Sequence, residues 1–492
     1  MLLSKKELVG KLEPSILDRM PDVGYQIKWK RPEDLVTWNR LDIGMRTSYL
    51  ELKDKVPDLA SSIYYEDLRA QTLGSLVDPD NPSKSSFERF KNVFSDVSEE
   101  IYRNGFDSEK TLLPLAISGS ILNGGHRLSS ALAYNKPVAC IETQIPPITC
   151  DYQYFFNRAV PQYIIEQAVL RLLRFMDNAF VAFLWPSGVK NIKQTVDLFH
   201  NKVYEKELTL TNKGALNLLY QCYHHMEWIG TKQTGYRGLY KKLFECFPET
   251  GTLTMIVFQA AGGLDEVRKI KQEVRDINGI GFSSIHITDT KEELIRLANL
   301  ACNENGLHYL NNADLIDFNK VELIKQLRYR ASKLQVDPES FVVDGSLLID
   351  IYGLRKADDM DIVAASRSTA TYEQMGFDSR VSELKYHRKS ADELVYDPRC
   401  HFYLFGIKLV GFHQLVSMKK NRWEPKDVLD VKLMLALGKT NRSKIFVTRI
   451  RQRVLYARIR LRRSIFRILA EVLSATGLYA PVRAVYRRFK GF

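Results

Sequence analysis

Two periods of apolar and polar residues take turns along this chain, and each change of period marks an element. Phe341-Val342-Val343-Asp344 is a β-branched burst that predicts a buried strand. Gly345-Ser346 breaks it, Leu347 to Tyr352 predicts a short helix, and Gly353-Leu354-Arg355 turns the chain. Asp359-Met360-Asp361-Ile362-Val363 predicts a second strand, where a period of two puts Asp359 and Asp361 on one face. A later strand is expected over His401 to Gly411. Earlier, Leu112 to Ile141 reads as strand, turn, strand, Gly124-Gly125-His126-Arg127, helix and strand, and Leu50 to Leu59 reads as helix. Between these lie helices at Tyr163–Asp177, Leu210–Trp228, Asp265–Arg275 and from Lys291 to Cys302. Strands are expected at Ala179–Pro186, Thr252–Phe258 and Phe282–Asp289.

A chain of 492 residues is too long for one core. The pattern predicts an α/β and α+β multidomain protein: three mixed-sheet domains over 1–150, 151–315 and 316–440, and a basic amphipathic helical tail over 441–492. An apolar content of 45% and a charged content of 26% belong to an ordinary globular chain. No run of about 18 apolar residues suggests a membrane span, and the start carries no signal-peptide pattern. Six scattered cysteines without Cys-x-x-Cys suggest neither zinc nor disulfides and fit a reducing cytoplasm.

The net charge of +13 is not spread out. Residues 442–492 hold fourteen Lys/Arg against one acid, Glu471, so the rest of the chain is neutral in sum. That removes any protein-wide case for nucleic-acid binding. In the tail, Ile450, Val454, Leu455, Ile459, Leu461, Ile465, Phe466 and Leu469 recur near helical spacing among arginines, and Leu478 to Lys490 repeats the idea. Such a stretch is expected to lie on an anionic membrane surface; nucleic acid or an acidic partner helix would also suit it.

Two carboxylates on one strand face repel unless a cation joins them, and Mg²⁺ takes one or two carboxylates plus substrate phosphates. Gly-Ser, a helical spacer and Asp-x-Asp on the next strand resemble the nucleotidyltransferase superfamily of the DNA polymerase β type. The resemblance implies Asp359 and Asp361 as catalytic metal ligands, Mg²⁺ as cofactor and a nucleoside triphosphate seated on Gly345 and Ser346. Arg355, Lys408, Lys419 and Arg422 would neutralise its charge. The family's third carboxylate has no clear counterpart, since Lys408 stands on the expected strand; Lys426-Asp427-x-x-Asp430 also resembles the family. The bland alternative is a surface strand with two solvated acids.

Gly124-Gly125-His126-Arg127 before a helix offers backbone N–H groups and a guanidinium fork to a phosphate. It resembles the ParB/sulfiredoxin-like fold, with Asn123 where many members carry an acid. Ser283-Ser284-Ile285-His286-Ile287-Thr288-Asp289, with Arg268, Lys271 and Arg275 upstream, resembles nucleoside diphosphate kinase, implying phosphate ligands and a catalytic His286. An ordinary βα turn and a half-buried histidine are the plain readings. Together these features lead to the expectation of a Mg²⁺-dependent nucleotidyl- or phosphotransferase, in bacterial surface-polysaccharide or glycolipid synthesis at the inner membrane face. A ParB-like nucleic-acid-binding or regulatory protein and a histidine phosphotransferase are the alternatives.

Overall fold

The computed structural model describes residues 2–482 apart from 79–80, 82, 249–250, 315–318, 358, 369–377, 380, 438–441, 477 and 480–481. Three sheets follow one another along the chain, each wrapped by helices, an α+β arrangement. In the first, β1 (Lys28–Lys30), β2 (Leu113–Leu115) and β3 (Val138–Glu142) form a mixed sheet with β3 central. The helix Gly125–Tyr134 links the parallel pair β2 and β3. The helix expected over Leu50–Leu59 is instead two, Leu41–Leu52 and Pro57–Gln71. Pro57 explains the break: it suits a first helical turn and pushes Val56 before it out of the helical region.

The second sheet contains β4 (Ala179–Leu184), β5 (Lys202–Thr209), β6 (Thr252–Gln259) and β7 (Ile285–Ile287) in the order β5-β6-β4-β7, antiparallel throughout. β4 is buried on both faces. Val181 and Phe183 join the main core, while Phe180, Ala182 and Leu184 join Val267, Ile270 and Val274 of the helix Gly263–Asn278. That is why its sequence is an unbroken apolar run. β5 carries Lys202, Glu205, Lys206 and Glu207, and an edge strand this charged has no apolar signature to read.

The third sheet contains β8 (Phe341–Asp344), β9 (Asp361–Ala364), β10 (Asp378–Ser379), β11 (His401–Leu404) and β12 (Ile407–Val410). Its order is β10-β9-β8-β12-β11. β8 is central, antiparallel to β9 and parallel to β12. Two expectations change here. β9 begins at Asp361, so Asp359 lies in the loop before it. The strand expected over His401–Gly411 is a hairpin, with Leu404 opposite Ile407 and Phe405-Gly406 as a two-residue turn.

One continuous apolar cluster runs from Leu8 to Met434 and joins all three sheets. The helices Leu41–Leu52 and Gln162–Phe175 cross so closely that a Cβ on Gly44 would collide with the Ala168 carbonyl. The third sheet is followed by the helices Phe412–Arg422 and Pro425–Leu435 and the 34-residue helix Arg442–Ala475. The second basic piece, Leu478–Lys490, falls largely outside the described residues. All six cysteines are free and buried. Among the described residues no helix is long and apolar enough to cross a membrane.

Candidate active site

β8 ends on a backbone conformation that favours glycine. Gly345 has φ +72° and ψ −138°, and a Cβ there would lie 2.5 Å from Asp361 Oδ2. Bare backbone therefore lies against that carboxylate. Ser346 opens the helix Ser346–Ile351, and its hydroxyl donates to Asp359 Oδ1 at 2.6 Å. Asp344 and Asp361 are register partners on the antiparallel pair β8 and β9. Directly opposed residues share a face, with Cβ atoms about 4.5–5.5 Å apart. Three carboxylates thus border Gly345-Ser346, with Asp359 reaching it from a loop.

Asp344 is 1% exposed. Its Oδ2 lies 2.8 Å from Nε2 of the buried His387, and its Oδ1 has no hydrogen-bond partner. Gln414 steadies the histidine by donating to its carbonyl at 3.0 Å. Burial works against the charge on Asp344, but His387, the Gly345 N–H and Lys419 outweigh it and hold the carboxyl below its ordinary range. One buried oxygen of Asp344 is thus left without a hydrogen-bond partner, in register with a second carboxylate. Mg²⁺ fits this donor set, because it accepts one or two protein carboxylates and fills its shell with waters and substrate oxygens. Among the described residues no group of three or more His, Cys, Asp or Glu forms a ready-made metal cage.

The basic residues expected around the nucleotide divide into two groups. Lys419, 2% exposed, bridges Asp427 at 3.0 Å and Asp430 at 2.9 Å. Arg422 forks onto Asp427 with both contacts at 2.8 Å and also meets Glu383, while Arg355 forks onto Asp430 at 2.8 and 3.0 Å. These three fasten the helices Phe412–Arg422 and Pro425–Leu435 to the loop that leads to Asp359, beside the acidic turn. Lys408 is elsewhere. It lies near the start of β8, where Nζ donates to the Glu339 carbonyl at 2.9 Å and pairs with its carboxylate at 2.7 Å. Burial opposes the charge on Glu339, but Lys408 and Arg174 bring its carboxyl down to about 2.

In the first sheet, Gly124 (φ +88°) precedes the helix begun by Gly125. Gly125 faces Arg46, and Gly124, Gly125, His126 and Arg127 line a cavity of about 700 Å³. Arg127 turns away from an open fork: it pairs with Glu13 at 2.9 Å and donates to the Leu112 carbonyl and the Thr111 hydroxyl. His126 Nε2 meets the Tyr64 hydroxyl at 2.8 Å, and burial, then Arg46, push it well below its ordinary range, keeping it neutral.

In the second sheet, His286 sits on β7 with Nε2 3.0 Å from Glu293 Oε1. Lys271 pairs with Asp289 at 2.7 Å, and Arg275 lies over the Phe282 ring at 4.3 Å. All three line a cavity of about 1080 Å³. Arg268 is outside that lining and pairs with Asp265 on the exposed face of its own helix.

No family model, curated protein or solved structure matches this chain. The sequence did not single out Asp344, His387 or Gln414. Asp344 reads as the last residue of an apolar strand, and its proximity to Asp361 depends on strand register. His387 and Gln414 are separated from it by loops and belong to no motif.

Proposed function

We propose that the Gly345-Ser346 turn and its carboxylates are the centre of a Mg²⁺-dependent transferase. It would move a nucleotidyl or phosphoryl group from a nucleoside triphosphate to an acceptor. The observation that carries this reading is the orphaned oxygen of Asp344, in register with Asp361 beside a backbone turn that has no side chain. Gly345, with no side chain, lets the Asp361 carboxylate lie against the main chain at the turn. Ser346 orients Asp359 through its hydroxyl, and His387 holds one oxygen of Asp344. Asp361 and Asp359 would hold Mg²⁺, which when bound neutralises phosphate oxygens, with Asp344 beside Asp361 across the strand pair. Lys419 supplies positive charge beside the acids while remaining tied to Asp427 and Asp430.

The acceptor belongs at a membrane face, in the synthesis of a surface polysaccharide or glycolipid. The tail helix supports this. Ile450, Val454, Leu461, Ile465, Ile468 and Val472 are all exposed, and at 3.6 residues per turn they fall within about 60° of arc, which the exposed Leu469 and Phe466 widen to about 160°.

Thermal shift against a panel of nucleoside triphosphates, with and without MgCl₂, tests the centre. A ligand at a hundred times its dissociation constant stabilises by about 2.7 kcal/mol. We expect one nucleotide to raise the melting temperature only with Mg²⁺, and Asp361→Asn to abolish that rise while leaving the ligand-free protein folded. Stabilisation that is independent of Mg²⁺, or that Asp361→Asn keeps, refutes the reading.

A further inference from the structure

The cavity of about 1080 Å³ is not part of the acidic centre, and it gathers positive charge that the fold leaves unbalanced. It lies where the second sheet and the helix Lys291–Ala301 meet the helix Asn319–Lys333 and the β11–β12 turn. At the tip of that turn Phe405 has φ +50° and Gly406 φ +79°. Positive φ at both central positions is what a two-residue hairpin turn requires, and the turn carries the Phe405 ring into the cavity wall. Phe405 is 4% exposed and stacks on His224 at 5.0 Å with 17° between the rings.

Two cations lie over this ring and a third sits beside the turn that carries it. Arg296 lies 5.6 Å and Lys325 5.2 Å from its centroid. Arg328 packs at Gly406 and, after burial, acts against the charge on Arg296. Among the described residues none of the three forms an ion pair with a carboxylate; Arg296 spends one nitrogen on the Gln221 carbonyl at 2.6 Å. Glu293 is the acid that acts on Arg296, and it is already bonded to His286 and to the Asp289 N–H. Burial, then Arg296 and Lys325, bring His224 down to about 3, so it stays neutral and adds no counter-charge; its Nδ1 has no partner. Like charges held together at a concave wall repel until an anion joins them. Phosphate groups, with several charged oxygens each, match a cluster of guanidinium and ammonium donors. At the rim, Trp228 is 46% and Phe282 73% exposed, giving aromatic faces to a ring attached to such phosphates.

We infer that this cavity binds a small anion carrying two or more phosphate charges, with Arg296, Lys325 and Arg328 as its ligands and Phe405 as their platform. The site is separate from the acidic turn and stands whether or not that turn is a catalytic centre.

Isothermal titration with inorganic pyrophosphate and with ADP, both without Mg²⁺, tests this on the full chain. The variants are the double substitution Lys325→Gln/Arg328→Gln and, separately, Asp361→Asn. We expect saturable binding of at least one probe at one site per chain, weakened at least tenfold by the double substitution and unchanged by Asp361→Asn. Tighter binding of ADP than of pyrophosphate assigns the aromatic rim to a ring; equal binding assigns the phosphates alone. Because the double substitution relieves repulsion, its ligand-free melting temperature should equal or exceed that of the wild type. Absence of saturable binding, binding that survives the double substitution, or binding lost in Asp361→Asn overturns the proposal. So does a double variant that melts lower without ligand, since the cations would then be structural.

Discussion

Asp427 shows how a residue chosen for one role is committed to another. It has no exposed side-chain surface and lies between Lys419 and Arg422. Burial opposes its charge, but the two cations outweigh it and bring the carboxyl down to about 2 from 3.8. A carboxylate depressed in the folded state binds fewer protons there than when unfolded, so its contribution to stability is full above about pH 4 and is lost as pH falls through about 2. Breaking one side of a buried charge pair costs about 3–5 kcal/mol. Urea unfolding at neutral pH should show Asp427→Asn less stable than wild type by that order. The gap should narrow as pH is lowered from about 4 towards about 2; a gap constant with pH would show that the ion network contributes nothing. At the same scale, Asp344 and Asp359 exchange the roles a strand pattern assigns them. Period two places Asp359 and Asp361 together, but the strand begins one residue after Met360, and the in-register partner of Asp361 is Asp344.

Among the elements, the hairpin of β11 and β12 and the tail helix depart furthest from a reading by pattern. Eleven residues of apolar character look like one strand; only the positive φ angles at Phe405 and Gly406 reveal the turn. That turn brings Phe405 into the cation-lined cavity. The tail helix was legible from sequence because its apolar residues recur near helical spacing, and the structure leaves Ile450, Val454, Leu461, Ile465, Ile468 and Val472 exposed rather than packed. Flotation with vesicles containing about one-third phosphatidylserine should recover the full chain at low salt and lose it when the tail is removed. The substitution Leu461→Glu/Ile465→Glu should release most of the bound protein, since each basic residue near such a surface adds only about 1 kcal/mol and the apolar face supplies the rest. Binding that the glutamates leave intact while salt abolishes it would reassign the helix to a purely electrostatic partner.

Across the whole molecule, three sheets share one apolar cluster. Gly44 lies where a first-sheet helix meets the helix before the second sheet, with no room for a Cβ beside the Ala168 carbonyl. A shared core couples the unfolding of its parts. Calorimetry should therefore show a single major transition, and Gly44→Ala, which forces two helices apart, should lower it as a whole by about 1–3 kcal/mol. Separate transitions, with only the first moved by Gly44→Ala, would mean that the sheets fold independently.

The sequence alone determined the fold class, most of the strands with an apolar signature, the Gly345-Ser346 turn and the amphipathic tail. Each of these depends on neighbours along the chain: periodicity, breakers and backbone freedom act over a few residues. It did not determine β5, the hairpin at Phe405, the partner of Asp344, or which cations are spent on carboxylates. Those depend on register and on contacts between residues tens of positions apart. Arg355 meets Asp430, His387 meets Asp344, and Lys325 and Arg296 both reach Phe405 only once the elements have packed. Charge compensation is a property of positions in space, and tertiary packing alone decided which basic residues were neutralised and which were left facing a cavity.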